Sequence, residues 1–269
     1  MESQTKLFQW KLPHPVLISS GPLATSAKPI ISAFGHGAAV VVTKTISTEN
    51  YRTIERIKHC SDNVLFNSDG FSTLSVSQWI DNWKALKGYP IIANIHASQP
   101  ERLADLAVKI VDAGAEVLEL GLSCPTSNDD PICFDLKRLY RYCLCVRKEV
   151  TVPVTVKIIV NMSRQHNRDT IRCLEDTGMD GITLSDSLPA FLGRTGGLTG
   201  PFLKPLVSRT LLDIENSPLY KIAVGGVFSK QDVQDYIQCG ANAVGVCTMV
   251  IKKGWNEFER LVNDVREEV

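Results

Sequence analysis

No run in this chain is apolar for long enough to cross a bilayer, neither sign of charge is in excess, and aromatic residues are sparse at 7%. With 29 basic residues against 29 acidic and no basic stripe, nucleic acid and anionic membrane surfaces are excluded as main partners. Cys-x-x-Cys pairs are missing too, although eight cysteines are present. Cys143 and Cys145 stand two apart, which on a helix turns them to different faces. The opening residues, Met1 to Trp10, lack the basic-then-apolar order of a secretory leader. The reading is a protein of a reducing cytoplasm, with neither disulfides nor a bound metal expected.

What is present is a regular alternation over 269 residues. Four apolar runs follow a helix-stopping glycine within three residues, at Gly37, Gly114, Gly178 and Gly240. Interleaved with them are four runs introduced by proline, at Pro15, Pro90, Pro153 and Pro218. Short, nearly continuous apolar runs of this kind suit parallel strands buried on both faces.

The spacers carry helical periodicity. Leu103, Leu106, Ala107, Ile110 and Val111 recur behind Ser98-Gln-Pro-Glu101, which reads as a capping box. Val76, Ile80, Trp83 and Leu86 form a second apolar stripe, and Trp255, Phe258, Leu261, Val262 and Val265 a third.

Eight such units without a linker predict an α/β fold, a single (β/α)8 TIM barrel spanning residues 1–269. An open nucleotide-binding sheet would want Gly-x-Gly-x-x-Gly after its first strand, and none is there. Residues 45–73 form a longer connection expected to fold over the barrel mouth.

Barrel enzymes keep their active sites at the C-terminal ends of the strands. In order around the chain those exits carry Ser19-Ser20-Gly21, Lys44-Thr45, Asn94 with His96, Ser123-Cys124-Pro125, Lys157, Ser185-Asp186-Ser187, Gly225-Gly226 and Cys247-Thr248. The last two suit a phosphate held by bare backbone N–H groups, the alternative being glycines that only allow a tight turn. Lys44 and Lys157 sit in otherwise apolar strands, where an ammonium needs an anion or must reach solvent. Cys124 is either a small buried hydrophobe or a base or nucleophile.

Taken together, Ser-Ser-Gly at 19–21, Thr-Lys at 43–44, Asn67-Ser-Asp-Gly-Phe71, Leu-Ser-Cys-Pro at 122–125, Val-Lys at 156–157, Gly196-Gly-Leu-Thr-Gly200 and Gly225-Gly226 form an ordered set. The set resembles the FMN-binding barrel of the soluble dihydroorotate dehydrogenases and the pyrimidine-reducing domain of dihydropyrimidine dehydrogenase. The resemblance covers nearly the whole chain.

It implies a flavoprotein oxidoreductase acting on a carbon–carbon bond beside a carbonyl, with hydride passing through flavin N5. Cys124 takes the position of the family's general acid/base and Lys157 that of the residue at the N1/O2 edge of the ring, so both are catalytic candidates. The implied FMN contacts are Ser20, Gly21, Lys44, Thr45, Asn94, Lys157 and Gly200, with the phosphate at Gly225, Gly226, Cys247 and Thr248. The implied substrate contacts are Lys44, Asn67, Asp69, Gly70, Phe71, Asp186 and Ser187, while His96 is read as a substrate contact, the partner of a carboxylate, a second acid/base, or an imidazole satisfied by a backbone carbonyl near the rim. A cysteine at position 124 rather than a serine marks the class that is not membrane-associated. The resemblance also implies a homodimer, and electrons exchanged with a soluble partner or a separate subunit.

The chain departs from the family on the substrate side. Gly121 and Thr126 stand at two family asparagines, Asp186 at a third, Asp69 at a frequent methionine and His96 at a small residue. At the phosphate end Cys247 replaces a common glycine. Carboxylates added beside an anionic substrate weaken its binding. The leading expectation is therefore a cyclic amide or related carbonyl compound that need not be dihydroorotate. The alternatives are an authentic dihydroorotate dehydrogenase, a non-redox phosphate-binding lyase or isomerase using Lys44 or Lys157, and a barrel without activity that serves as a subunit.

Overall fold

The computed structural model describes residues 5–49, 57–124 and 130–267, with the backbone alone at 57–59. Eight parallel strands form its centre: β1 (Val16–Ile18), β2 (Val41–Val42), β3 (Ile91–His96), β4 (Val117–Gly121), β5 (Val154–Ile158), β6 (Gly181–Leu184), β7 (Tyr220–Val224) and β8 (Ala243–Val246). Each pairs with its neighbours in sequence, and β8 pairs with β1 through Val244–Val16, so the sheet is closed. The expected barrel is thus present with all eight anticipated strands.

Helices α1 (Ala27–Gly35), α2 (Val76–Leu86), α3 (Pro100–Asp112), α4 (Leu136–Glu149), α5 (Arg164–Asp176), α6 (Leu203–Asp213) and α7 (Lys230–Gln238) follow the first seven strands. A six-residue helix, α8 (Thr248–Lys253), then precedes the outer helix α9 (Trp255–Arg266). Leu103, Leu106, Ala107 and Ile110 of α3 are buried, as are Phe258, Leu261, Val262 and Val265 of α9. In α2 the buried stripe runs through Trp79, Trp83 and Leu86. Burial of each such side chain stabilises the fold by roughly 1.5–3 kcal/mol. These stripes pack on the outward-facing strand residues and form the larger core.

The anticipated capping box at Ser98 does not form. Gln99 is the N-cap of α3 and makes no side-chain cap bond, because Pro100 occupies the first turn and the Ser98 N–H is spent on Glu49 Oε1 at 2.6 Å. At α7 the Ser229 hydroxyl does accept the Asp232 N–H.

Two β structures lie outside the barrel ring. Thr5–Leu7 and Trp10–Leu12 form an antiparallel hairpin. Its Leu7, Phe8 and Leu12 are buried against Leu17, Val42, Ile92 and Val117 of the barrel strands, closing the interior. At the mouth, Ile57–Ser61, Val64–Asn67, Leu188–Phe191 and Thr195–Thr199 make a four-stranded antiparallel sheet.

The expected loop 45–73 is therefore ordered in part as β structure where it is described, with Ile46–Ser47 also pairing onto β3. Residues 50–56 of that loop lie outside the described residues. Gly196 permits this sheet, since a Cβ there would come within 2.4 Å of the Phe66 ring and 2.7 Å of the Asn67 carbonyl oxygen.

Candidate active site

Between this sheet and the strand ends runs a cleft with two adjoining compartments that share Ser20, Gly21, Asn67, Lys157, Asp186 and Ser187. One, of about 700 Å³ including its open mouth, reaches the β7 and β8 exits and is walled by Thr199, Gly225, Gly226, Cys247 and Thr248. The other, of about 510 Å³, is lined by Lys44, Thr45, Asp69, Gly70, Phe71 and, on its far side, Asn94, Gly121 and Cys124. Both lie in the size range of small-molecule sites.

Lys157, one residue before the end of β5, lies inside the barrel rim, 7% exposed, with its Nζ 3.3 Å from Asp186 Oδ1. Burial works against its charge, but the Asp186 and Glu119 carboxylates outweigh that and hold it protonated above the usual lysine range. Asp186 is fixed by the Ser123 hydroxyl, which donates to Oδ2 at 2.8 Å, and by the Ser187 N–H at 2.8 Å on Oδ1. Lys44, 6% exposed, meets Asp69 Oδ2 at 3.1 Å, and the Asp69 N–H donates to Asn67 Oδ1 at 2.8 Å. Cys124, half-buried, faces the same compartment from the end of β4.

Beneath the floor lies Glu119, 1% exposed. Its carboxylate accepts Asn94 Nδ2 at 2.6 Å and the Thr183 hydroxyl at 2.5 Å, and burial raises its proton affinity. Asn94 Oδ1 is buried and accepts no hydrogen bond among the described residues. A Cβ on Gly121 would stand 2.9 Å from that oxygen, so glycine at this position lets the Asn94 side chain pack against the end of β4.

At the other end, Gly225 and Gly226 take φ of +104° and +73°, values that favour glycine. A Cβ on Gly226 would approach Lys204 and the Pro201 carbonyl at 3.1 Å, and one on Gly21 would approach Cys247 Sγ at 2.9 Å. Burial pushes the Cys247 thiol up to about 11, so it remains neutral. The Thr248 and Thr199 hydroxyls are 3.2 Å apart.

Most of the residues anticipated from sequence thus share one cleft. Two do not line it. Gly200 packs beneath the mouth sheet instead, with Asn63 O and Val64 Cγ2 at 3.0 Å from a would-be Cβ, and its neighbour Thr199 faces the cleft. His96 lies behind Phe71, with ring centroids 4.6 Å apart, and donates through Nδ1 to the Gly121 carbonyl at 2.7 Å. Burial lowers its pKa, so it is a neutral imidazole satisfied by backbone, 4.0 Å from Glu49. Pro125 and Thr126 lie outside the described residues. Sequence reasoning passed over Glu119, although a lone carboxylate in an apolar strand is the same signal that singled out Lys157. Ser123 and Thr199 stood inside quoted motifs, Leu-Ser-Cys-Pro and Gly-Gly-Leu-Thr-Gly, but were given no role of their own.

The dihydroorotate dehydrogenase family profile matches residues 2–269. The chain belongs to the dihydroorotate dehydrogenase family. It is 26% identical over 275 residues to the dihydroorotate dehydrogenase B (NAD(+)) catalytic subunit of Thermoplasma acidophilum, covering 95% of this chain and 89% of that protein. Against the subunit of the same name from Methanothermobacter thermautotrophicus it is 27% identical, covering 96% and 90%. The crystal structure of DHODH from Eimeria tenella in complex with ferulenol superposes with a TM-score of 0.81 at 19% identity, covering 93% of this chain and 80% of that one, which supports the fold. Membership makes the protein an oxidoreductase of the dihydroorotate dehydrogenase type, and flavin dependence is a property of that family. No described helix is long and apolar enough to cross a membrane.

Proposed function

We propose that the cleft holds FMN across the barrel mouth and that the protein oxidises or reduces a carbon–carbon bond beside a carbonyl in a small cyclic amide or related compound. The observation that carries this reading is that Cys124 and the buried ammonium of Lys157 line one compartment that continues to the glycine turn at Gly225-Gly226. The residues fit the group. The glycines keep side chains out of the phosphate end, Lys157 offers positive charge to the ring edge, and Asn94 Oδ1 is a buried acceptor awaiting an N–H donor.

When bound, the flavin supplies the hydride acceptor for oxidation and the donor for reduction. Lys157, kept charged by Asp186, stabilises negative charge at the edge it faces. Ser20, Gly21, Lys44 and Thr45 wall the ring's position. Cys124 removes the proton alpha to the substrate carbonyl in oxidation and returns it in reduction. Asn67 and Ser187 supply polar contacts to the substrate. The mouth sheet carrying Asn67 and Thr199 excludes water from the reacting carbons.

Relatives named as catalytic subunits support a separate electron-transfer subunit as the partner, and the proposal includes a cytoplasmic setting. Their names also favour dihydroorotate itself as a second reading of the substrate. The test of the cofactor is the visible absorption spectrum of the natively purified protein, with mass analysis of the chromophore released on denaturation. FMN near one-to-one supports the proposal. A colourless protein that takes up no added FMN defeats it.

A further inference from the structure

Lys157 is one ammonium set against two carboxylates. Asp186 lies 3.3 Å from its Nζ, and the Glu119 charge acts on it from beneath, where β4 pairs with β5. Asp186 accepts the Ser123 hydroxyl on Oδ2 and the Ser187 N–H on Oδ1, while Glu119 accepts Asn94 Nδ2 on one oxygen and the Thr183 hydroxyl on the other. Every oxygen of both carboxylates thus accepts a donor, which is the hydrogen-bonding role of the ionised group. Cys247 also faces Lys157, as a neutral thiol. Among the described residues the cluster around this ammonium therefore carries a net negative charge.

That balance bears on a flavin lying against Lys157. A hydride reaching N5 brings two electrons and one proton, and the negative charge it adds collects at the edge that the lysine faces. A lone ammonium would stabilise that charge. Here Asp186 repels it and also engages the Lys157 ammonium, and Glu119 adds a second repulsion through a core of low dielectric. Neither carboxylate is free to turn toward water, since Asp186 is 19% exposed and Glu119 1%, and both are pinned by the donors just named.

We propose that Asp186, backed by Glu119, lowers the reduction potential of the bound flavin by offsetting Lys157, and so biases the site toward hydride donation. The inference rests on the reading of the cleft as a flavin site, and it adds to that reading a control of direction.

Anaerobic reductive titration of the purified holoprotein against a reference dye, followed by visible absorbance, reads the potential. Asp186→Asn keeps the shape of the side chain and an acceptor for the Ser187 N–H but carries no charge. The equilibrium constant for flavin reduction is expected to rise at least tenfold in this variant, which is about 30 mV for a two-electron couple. An Asp186 with only a structural role would lower the urea midpoint of the variant and leave the potential where it was. Glu119→Gln is expected to shift the potential in the same direction, and it stands in should Asp186→Asn fail to fold or to retain flavin. An unchanged or lowered potential in the folded, flavin-loaded variant would overturn the proposal, as would loss of flavin from both variants. Wild-type protein that binds no FMN sinks the cofactor reading instead, which keeps the two failures apart.

Discussion

Lys157 Nζ stands 3.3 Å from Asp186 Oδ1, the one a residue before the end of β5 and the other just beyond β6, in a cleft where neither side chain is more than a fifth exposed. Ser123 holds Asp186 from behind and the Glu119 charge adds to that of Asp186, so the buried ammonium is balanced by carboxylates that belong to the fold. Asp186→Ala takes away the nearer balance and leaves a buried ammonium. The expected loss is about 3 kcal/mol, read as a lowered urea midpoint at pH 7. An unchanged midpoint would show that Glu119 alone carries the compensation.

Cys124→Ala removes the proposed acid/base without touching the phosphate end of the cleft. Turnover is expected to fall by about 10² to 10⁴ while flavin content stays at the wild-type level. Rapid-mixing measurement of flavin absorbance with substrate reads the first quantity, and the ratio of visible to protein absorbance reads the second. Full turnover in the variant would remove Cys124 from the mechanism.

The barrel was legible because its signal is repeated eight times, and each repeat joins a helix stop to a short apolar run. The rim of the cleft was legible for a different reason. Lys44, Lys157 and Cys124 are chemically out of place in or beside apolar strands, and the closed sheet then brings their exits to one end. Pairings between distant segments were not legible. Nothing local in Val64–Asn67 announces that it will pair with Thr195–Thr199, and that pairing turned an expected loop into a sheet over the site. His96 illustrates the same limit. Its type left substrate chemistry and a backbone-satisfied imidazole both open, and only the β3–β4 register, which brings it to the Gly121 carbonyl on the neighbouring strand, decides for the second.

Gly196 is a test of that mouth sheet. A methyl group at this position would drive into the Phe66 ring and the Asn67 carbonyl, and both belong to the strand it pairs with. Gly196→Ala is expected to cost about 1–3 kcal/mol through displacement of the strand. Because Asn67 and Thr199 line the cleft, the same variant should release flavin faster on dilution. Loss of stability with unchanged flavin release would mean that the sheet is a structural cover without a hold on the ligand.

A pH dependence should originate far from the cleft, at His14. This side chain is fully buried just before β1, where its Nδ1 accepts the Val16 N–H at 3.2 Å and its Nε2 donates to the Gly37 carbonyl at 3.0 Å. Burial, aided by the nearby Arg266 charge, lowers its pKa from 6.5 to about 4. Above pH 6.5 neither the folded nor the unfolded chain binds a proton there, and the neutral imidazole contributes its full stability. As pH falls from 6.5 toward 4, the unfolded chain takes up a proton that the folded one refuses, so stability is lost over that window, by roughly 3 kcal/mol at its lower end. His14→Gln offers similar donor and acceptor groups but does not titrate. The difference in unfolding free energy between wild type and this variant is therefore expected to shift in favour of the variant as pH drops from 7 to 4.5, because contributions from the carboxylates cancel in the subtraction. Parallel stability curves over that range would show that His14 titrates alike in both states.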